Sequence, residues 1–206
     1  FCRDRTDKAN RYQRFPIMLS AMRSPGVTSK PIKLPCGNSP FCETFFDNVK
    51  VPKSYGEDIP GYVGTINRGW DVAKYLLGHE REMISGAGGS DRTAGLGAVM
   101  KRHAGELDPL LRAELALFDV DSLAYTAMGE KFLDEIKVGK AHPAQPNMMK
   151  YAGTELNKRR HELIMSAGGS RALEWDSEET RGGKPARDWL RTKANSIEGG
   201  TSEVML

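Results

Sequence analysis

A chain of 206 residues, 39% hydrophobic and 28% charged, has the composition of a globular protein that buries a core in one or two domains. Its 30 Lys and Arg against 27 Asp and Glu leave a net charge of +3, too even a balance for a nucleic-acid binder. No apolar run reaches the roughly 18 residues that a membrane-spanning helix needs, so a soluble protein without membrane insertion is expected.

Residues 1–54 read as strands and turns. Pro16-Ile17-Met18-Leu19 is a short run expected to be buried, and Ser24-Pro25-Gly26 is a turn. Val27 to Leu34 alternates, and Thr44 to Val51 is rich in Phe and Val and stops at Pro52. Residues 53–66 hold Gly56, Pro60, Gly61 and Gly64, which suit a linker better than a regular element. Cys2, Cys36 and Cys42 form no Cys-x-x-Cys pair and leave an odd thiol, which favours a reducing cytoplasm.

From Gly69 the apolar period becomes helical. One helix is expected over 70–86, resuming toward His103 past the glycine-rich stretch at 86–89. A second starts at Asp108-Pro109, a cap followed by proline at the first helical position, with the stripe Leu111, Leu115, Phe118, Tyr125, Phe132 and Ile136. A third starts near Pro146, carries Met149, Ala152, Leu156 and Leu163, and ends at Gly168-Gly169. A polar loop over 174–185 precedes a short helix over 186–196. Long antiparallel helices with short joints make a bundle. The fold class is therefore α+β and mainly α.

Within the first helix, Ala73, Leu76, Leu77, Glu80 and Ile84 share one face, whereas Glu82 points to the other. A carboxylate on a buried apolar face has its charged form disfavoured and its pKa raised, which suits a general base. The same pattern also fits a partner for Arg81 or another buried cation. The loop Gly199-Gly200-Thr201-Ser202-Glu203 can bring backbone N–H groups close to a bulky polar ligand, or can be a glycine helix cap followed by a turn. His79-Glu80 and His161-Glu162 lack the second histidine of a zinc helix motif, so no metal site is expected. Lys158-Arg159-Arg160 reads as a solvated or ion-paired basic run.

Three motifs occur in order: Asn67-Arg68-Gly69-Trp70, His79-Glu80-Arg81, and Ile197-Glu198-Gly199-Gly200-Thr201-Ser202-Glu203. Together they resemble the C-terminal half of an acyl-CoA dehydrogenase. The resemblance implies part of a middle β-barrel domain over 1–54, a linker over 55–66 and a C-terminal, four-helix-type bundle over 67–206. It also implies that the chain begins inside the barrel at Phe1-Cys2-Arg3 and is a fragment, since the family's upstream flavin motifs are not in the sequence.

Family members place the catalytic glutamate either in the late loop or on the earlier helix. Aligning Gly200-Thr201 puts Gly199 at the loop position, so the resemblance assigns the base to Glu80, with Glu198 in reserve. Arg81 would orient the base or close the site. Gly199, Gly200, Thr201 and Glu203 would meet FAD, and Gly168 would meet its adenine end, often across a subunit boundary. The implied reaction removes an α-proton from an acyl-CoA thioester and transfers a hydride to the flavin. Electron transfer flavoprotein would be the acceptor, and the assembly a homodimer or homotetramer. An acyl-CoA oxidase and a non-catalytic subunit of a hetero-oligomer are the alternatives.

Overall fold

A computed structural model describes residues 15–85 and 93–206, with residues 81–85 described by their backbone alone. The expected chain start at Phe1-Cys2-Arg3 and the glycine-rich stretch at 86–89 lie outside the described residues, and the helix expected to resume toward His103 is found over Gly97–Arg102. Two compact units result. One comprises the described residues up to Lys33 together with Asn38–His79; the other comprises Leu34–Gly37 and the described part of Glu80–Leu206.

The first unit holds six short strands: β1 (Ile17–Met18), β2 (Val27–Ile32), β3 (Phe41–Phe46), β4 (Ser54–Tyr55), β5 (Ile59–Pro60) and β6 (Tyr62–Val63). They pair antiparallel as β1 with β6, β2 with β3, and β4 with β5, giving three separate two-stranded ladders and no closed barrel among the described residues. The register of β2 and β3 sets Val27 opposite Phe46 and Ile32 opposite Phe41. Gly26, at φ 87°, makes the turn into β2, and its carbonyl accepts from the Asp47 N–H. A Cβ there would lie 2.1 Å from the Asp47 carbonyl oxygen, so only glycine fits.

Several expectations for this region are corrected. Met18 and Leu19 are exposed, because β1 pairs only with the two-residue β6. The alternation from Val27 is not matched by alternating burial, since one isolated ladder has no second layer packed on it among the described residues. β3 starts at Phe41 and ends at Phe46, before Asn48 turns to φ 49°. Residues 53–66, read as having no regular element, contain β4, β5 and β6, pinned by the Gly61 N–H donating to the Lys53 carbonyl.

The helical part comprises α1 (Gly69–Ser85), α2 (Gly97–Arg102), α3 (Pro109–Lys137), α4 (Gln145–Gly168), a 3-10 turn at Gly169–Leu173, α5 (Lys184–Thr192), a 3-10 turn at Lys193–Ser196 and α6 (Ser202–Met205). The chain is mainly helical. Asp108 caps α3 as expected, its carboxylate accepting from the N–H groups of Leu110 and Leu111. α4 stops at Gly169, whose φ of 56° suits a residue without a side chain. α5 begins earlier than read, because Pro185 is accommodated in the first helical turn, and it tightens to 3-10 after Thr192.

α3 and α4 carry the core. Leu115, Phe118, Tyr125 and Phe132 of the α3 stripe are buried, with Leu111 packed at the edge. They meet Met149, Ala152, Leu156 and Leu163 of α4, while Leu96 and Leu107 close one end. Tyr125 donates to the Met149 carbonyl at 3.0 Å, and burial pushes its phenol up to about 12. Ile136 is exposed, so the stripe ends one turn earlier than read. Leu110, Leu117, Val120 and Leu123 are also exposed, so α3 presents apolar residues outside the core.

Phe118 is 0% exposed at the centre of this packing. Phe118→Ala should lower the unfolding free energy by about 3–5 kcal/mol, whereas Ile136→Ala should change it by less than about 0.5 kcal/mol. Urea titrations of the two variants check the contrast.

Candidate functional site

α4 has two faces of different chemistry. Met149, Ala152, Leu156 and Leu163 face α3, while Lys150, Thr154, Asn157 and His161 recur at helical spacing on another side. Lys150, Thr154 and Asn157 are buried, and His161 is half-buried. Buried polar groups need partners. The C-terminal segment supplies most of them.

Lys150 is 0% exposed, and its Nζ donates to the Gly200 carbonyl at 2.7 Å and to the Asn195 carbonyl at 3.1 Å. Burial pushes its pKa below the usual lysine value, and the nearby charges of Glu198, Glu155 and Glu203 work against that shift. Thr154 returns its hydroxyl to the carbonyls of Lys150 and Tyr151. Asn157 Nδ2 donates to Asn195 Oδ1 at 2.7 Å, and Asn195 Nδ2 donates to Glu198 Oε2 at 3.2 Å. Arg191 pairs with the other oxygen of Glu198, whose side chain is 19% exposed. Lys158 donates to Ser196 Oγ at 2.7 Å and pairs with Glu155.

These contacts fix the loop that follows. Gly199 has φ 62° and Gly200 has φ 110°, and a Cβ on Gly200 would meet Met205 Cε at 2.4 Å. Among the described residues, no backbone hydrogen bond is made by the N–H groups of Gly199 or Thr201. Thr201 leads into α6, and Glu203 is in its first turn. The Glu203 N–H and the Thr201 hydroxyl hold the exposed Glu203 carboxyl below its usual range. The loop therefore offers donors, a hydroxyl and a carboxylate on a backbone conformation that needs glycine.

The candidate residues fall into three places. Glu198, Gly199, Gly200, Thr201 and Glu203 come together in the C-terminal loop, but the Glu198 carboxylate is engaged by Arg191 and Asn195. Gly168 lies at the far end of α4, roughly 27 Å along the helix from Lys150 at 1.5 Å per residue. It lines a cavity of about 400 Å³ with Glu106, Ser166, Gly169 and Arg171. Glu80 is in α1 and half-buried, and its carboxylate makes no hydrogen bond or ion pair with another described residue. The apolar face expected around Glu80 is not covered: Leu76 is 63% exposed and Leu77 also faces solvent. Arg81 is in α1 by its backbone, and its side chain lies outside the described residues.

The family model described as "Acyl-CoA dehydrogenase, C-terminal domain" matches residues 67–206. The chain belongs to the acyl-CoA dehydrogenase family. It is 28% identical over 208 residues to acyl-CoA dehydrogenase FadE34 of Mycobacterium tuberculosis, covering 100% of this chain and 27% of that relative. It is 29% identical over 206 residues to acyl-CoA dehydrogenase IpdE1 of Mycolicibacterium smegmatis, covering 97% of this chain and 49% of that relative. The chain thus spans less than half the length of either relative.

Among solved structures, the Tcur3481-Tcur3483 steroid ACAD superposes with a TM-score of 0.81 at 20% identity, over 96% of this chain and 51% of that one. The ChsE4-ChsE5 complex of Mycobacterium tuberculosis gives 0.71 at 20% identity, over 94% and 51%. PigA with FAD and proline gives 0.74 at 14% identity, over 94% and 50%. These likenesses concern the fold.

The sequence reading missed Lys150, Asn157, Asn195 and Arg191. Its signal was available in part: Lys150, Thr154, Asn157 and His161 form a second stripe at helical spacing on α4. What the sequence lacks is the partner, since Asn195 and Gly200 contribute backbone carbonyls that no residue type announces. Among the described residues, no cluster of His, Cys, Asp or Glu could hold a metal ion, and no helix is long and apolar enough to cross a membrane.

His161 gives a pH prediction. Burial, aided by Arg160, pushes its pKa down to about 4 from the ordinary 6.5. Below pH 6.5 the unfolded chain binds a proton that the folded chain refuses until about pH 4, so stability falls as pH drops through that window. His161→Gln should flatten this dependence by up to one proton, read from unfolding midpoints between pH 4 and 6.5.

Proposed function

We propose that this chain supplies the catalytic base and part of the flavin site of an FAD-dependent acyl-CoA dehydrogenase. The observation that carries the reading is the clasped Gly199–Glu203 loop within a region matched to the family's C-terminal domain. The loop fits a cofactor of this kind. The N–H groups of Gly199 and Thr201 make no backbone hydrogen bond among the described residues, and the glycines keep the backbone open to close approach by a polar group. Thr201 and Glu203 would hold the flavin cofactor beside Gly199 and Gly200. Gly168, far along α4, would meet the adenine end of a cofactor carried by a neighbouring copy.

Glu80 is the proposed base. Its carboxylate takes the α-proton of the acyl-CoA thioester, and its freedom from ion pairs with described residues keeps it available for that proton. The bound flavin supplies the hydride acceptor for the β carbon. Donors aimed at the thioester oxygen stabilise the charge that builds up there. Glu198 is a poorer candidate, because Arg191 and Asn195 occupy both of its oxygens. Arg81 is assigned to support of the base. Residues 67–206 form the helical domain in this reading, residues 1–54 part of the middle β-barrel domain, and 55–66 the joint. Electron transfer flavoprotein is the proposed acceptor and a homodimer or homotetramer the proposed assembly.

A second reading has one observation in its favour. The ChsE4-ChsE5 neighbour is a complex of two different chains, and the apolar face around Glu80 is open, as a subunit awaiting a partner would leave it. The chain would then be a non-catalytic subunit. Glu80→Gln in the full-length protein separates the two. Loss of the base should slow flavin reduction by acyl-CoA about 10²- to 10⁴-fold with FAD content unchanged. Flavin reduction at the normal rate would remove Glu80 from the chemistry.

The loop assignment is checked separately. Thr201→Ala and Glu203→Ala should each weaken FAD retention by about 0.5–1.5 kcal/mol and acyl-CoA binding by less. Flavin absorbance after dilution and gel filtration reads the difference.

A further inference from the structure

Lys150 is a buried ammonium with an unusual set of partners. Its two acceptors are backbone carbonyls, one from the 3-10 turn at Lys193–Ser196 and one from Gly200. No carboxylate comes within ion-pair distance of its Nζ among the described residues. Burying a charge without a counter-charge is costly, and two carbonyl acceptors only partly offset that cost. The charge is therefore poorly explained as a source of fold stability.

We propose that Lys150 is a positioning residue for the flavin-binding loop, drawing the carbonyls of Asn195 and Gly200 against α4 and so turning the Thr201 N–H outward. The proposal rests on the reading that Gly199–Glu203 meets FAD. The geometry follows from the peptide group. The peptide is trans, so the carbonyl of Gly200 and the N–H of Thr201 point in opposite directions across one plane. Fixing the carbonyl on Lys150 fixes the donor on the opposite side, away from α4. Two consecutive glycines at positive φ would otherwise leave that plane free to rotate. The second hydrogen bond, to Asn195, anchors the turn that feeds the loop, and the Asn157–Asn195–Glu198 chain holds the same turn from its side chains.

The test compares Lys150→Met, Lys150→Gln and the wild type in the full-length protein. Two quantities are read: FAD affinity of the reconstituted apoprotein by flavin fluorescence, and the unfolding midpoint of the apoprotein. Lys150→Met should weaken FAD binding at least about tenfold, a larger loss than the modest fall in the apoprotein midpoint caused by the two carbonyls left without a donor. Lys150→Gln, whose amide can still donate, should recover part of the affinity. A midpoint that falls in step with affinity, or a Lys150→Met chain that does not fold, makes Lys150 a structural residue and overturns the proposal. Wild-type FAD affinity in Lys150→Met also overturns it, provided Thr201→Ala and Glu203→Ala lose flavin in the same assay. If those two variants keep their full flavin, the loop reading itself is wrong.

Discussion

The arrangement of the C-terminal segment depends on one buried cation. Among the described residues Lys150 has no side-chain counter-ion within ion-pair distance, and its ammonium donates to the carbonyls of Asn195 and Gly200. Each carbonyl lies at the end of a local element: Asn195 in the last 3-10 turn and Gly200 just before α6. A single side chain on α4 therefore bonds to both segments. The glycines at 199 and 200 complete the arrangement, since their positive φ angles let the chain reverse between the two anchors.

This makes α4 the organising helix of the second unit. Its apolar side packs against α3 through Met149, Leu156 and Leu163, and supplies the hydrophobic driving force. Its polar side has little such force, but it imposes direction. Hydrogen bonds to Asn195 and Gly200 are satisfied in one geometry, whereas apolar contacts tolerate several. The same helix thus separates two tasks, cohesion on one face and placement on the other. The division explains why the loop residues are well defined although they bury little apolar surface of their own.

Much of the helical architecture was legible in the sequence, for identifiable reasons. Asp108-Pro109 marks a helix start through two local effects, a capping carboxylate and a preset φ, and neither needs a distant partner. Gly168-Gly169 marks the end of α4 equally locally. The buried members of the α3 stripe follow from period alone. The strands were harder. β4, β5 and β6 are each two residues long and exist through pairing, as when Gly61 donates to Lys53, so no run of residues betrays them. The exposure of Met18 and of Leu76 likewise depends on what packs nearby, which composition does not encode. The motif residues of the candidate site could be named from the sequence; their engagement could not. Nothing in the residue types shows that Glu198 is tied to Arg191 and Asn195 while Glu80 has no such partner among the described residues.

That last contrast bears on which of the two glutamates is suited to exchange a proton. A general base must be able to exchange its proton with substrate, and a carboxylate engaged on both oxygens by a guanidinium and an amide is less suited to that exchange. Glu198 is held in this way, and its hydrogen bond to Asn195 joins it to the Asn157–Lys150 seam. Its charge contributes instead to the field at Lys150, where it opposes the effect of burial. Removing that charge would leave the ammonium less compensated and the loop less firmly placed. Glu198 therefore belongs with the groups that hold the loop, and the proposed function calls for a base outside that network. Glu80, on a different helix and without such partners among the described residues, meets that requirement.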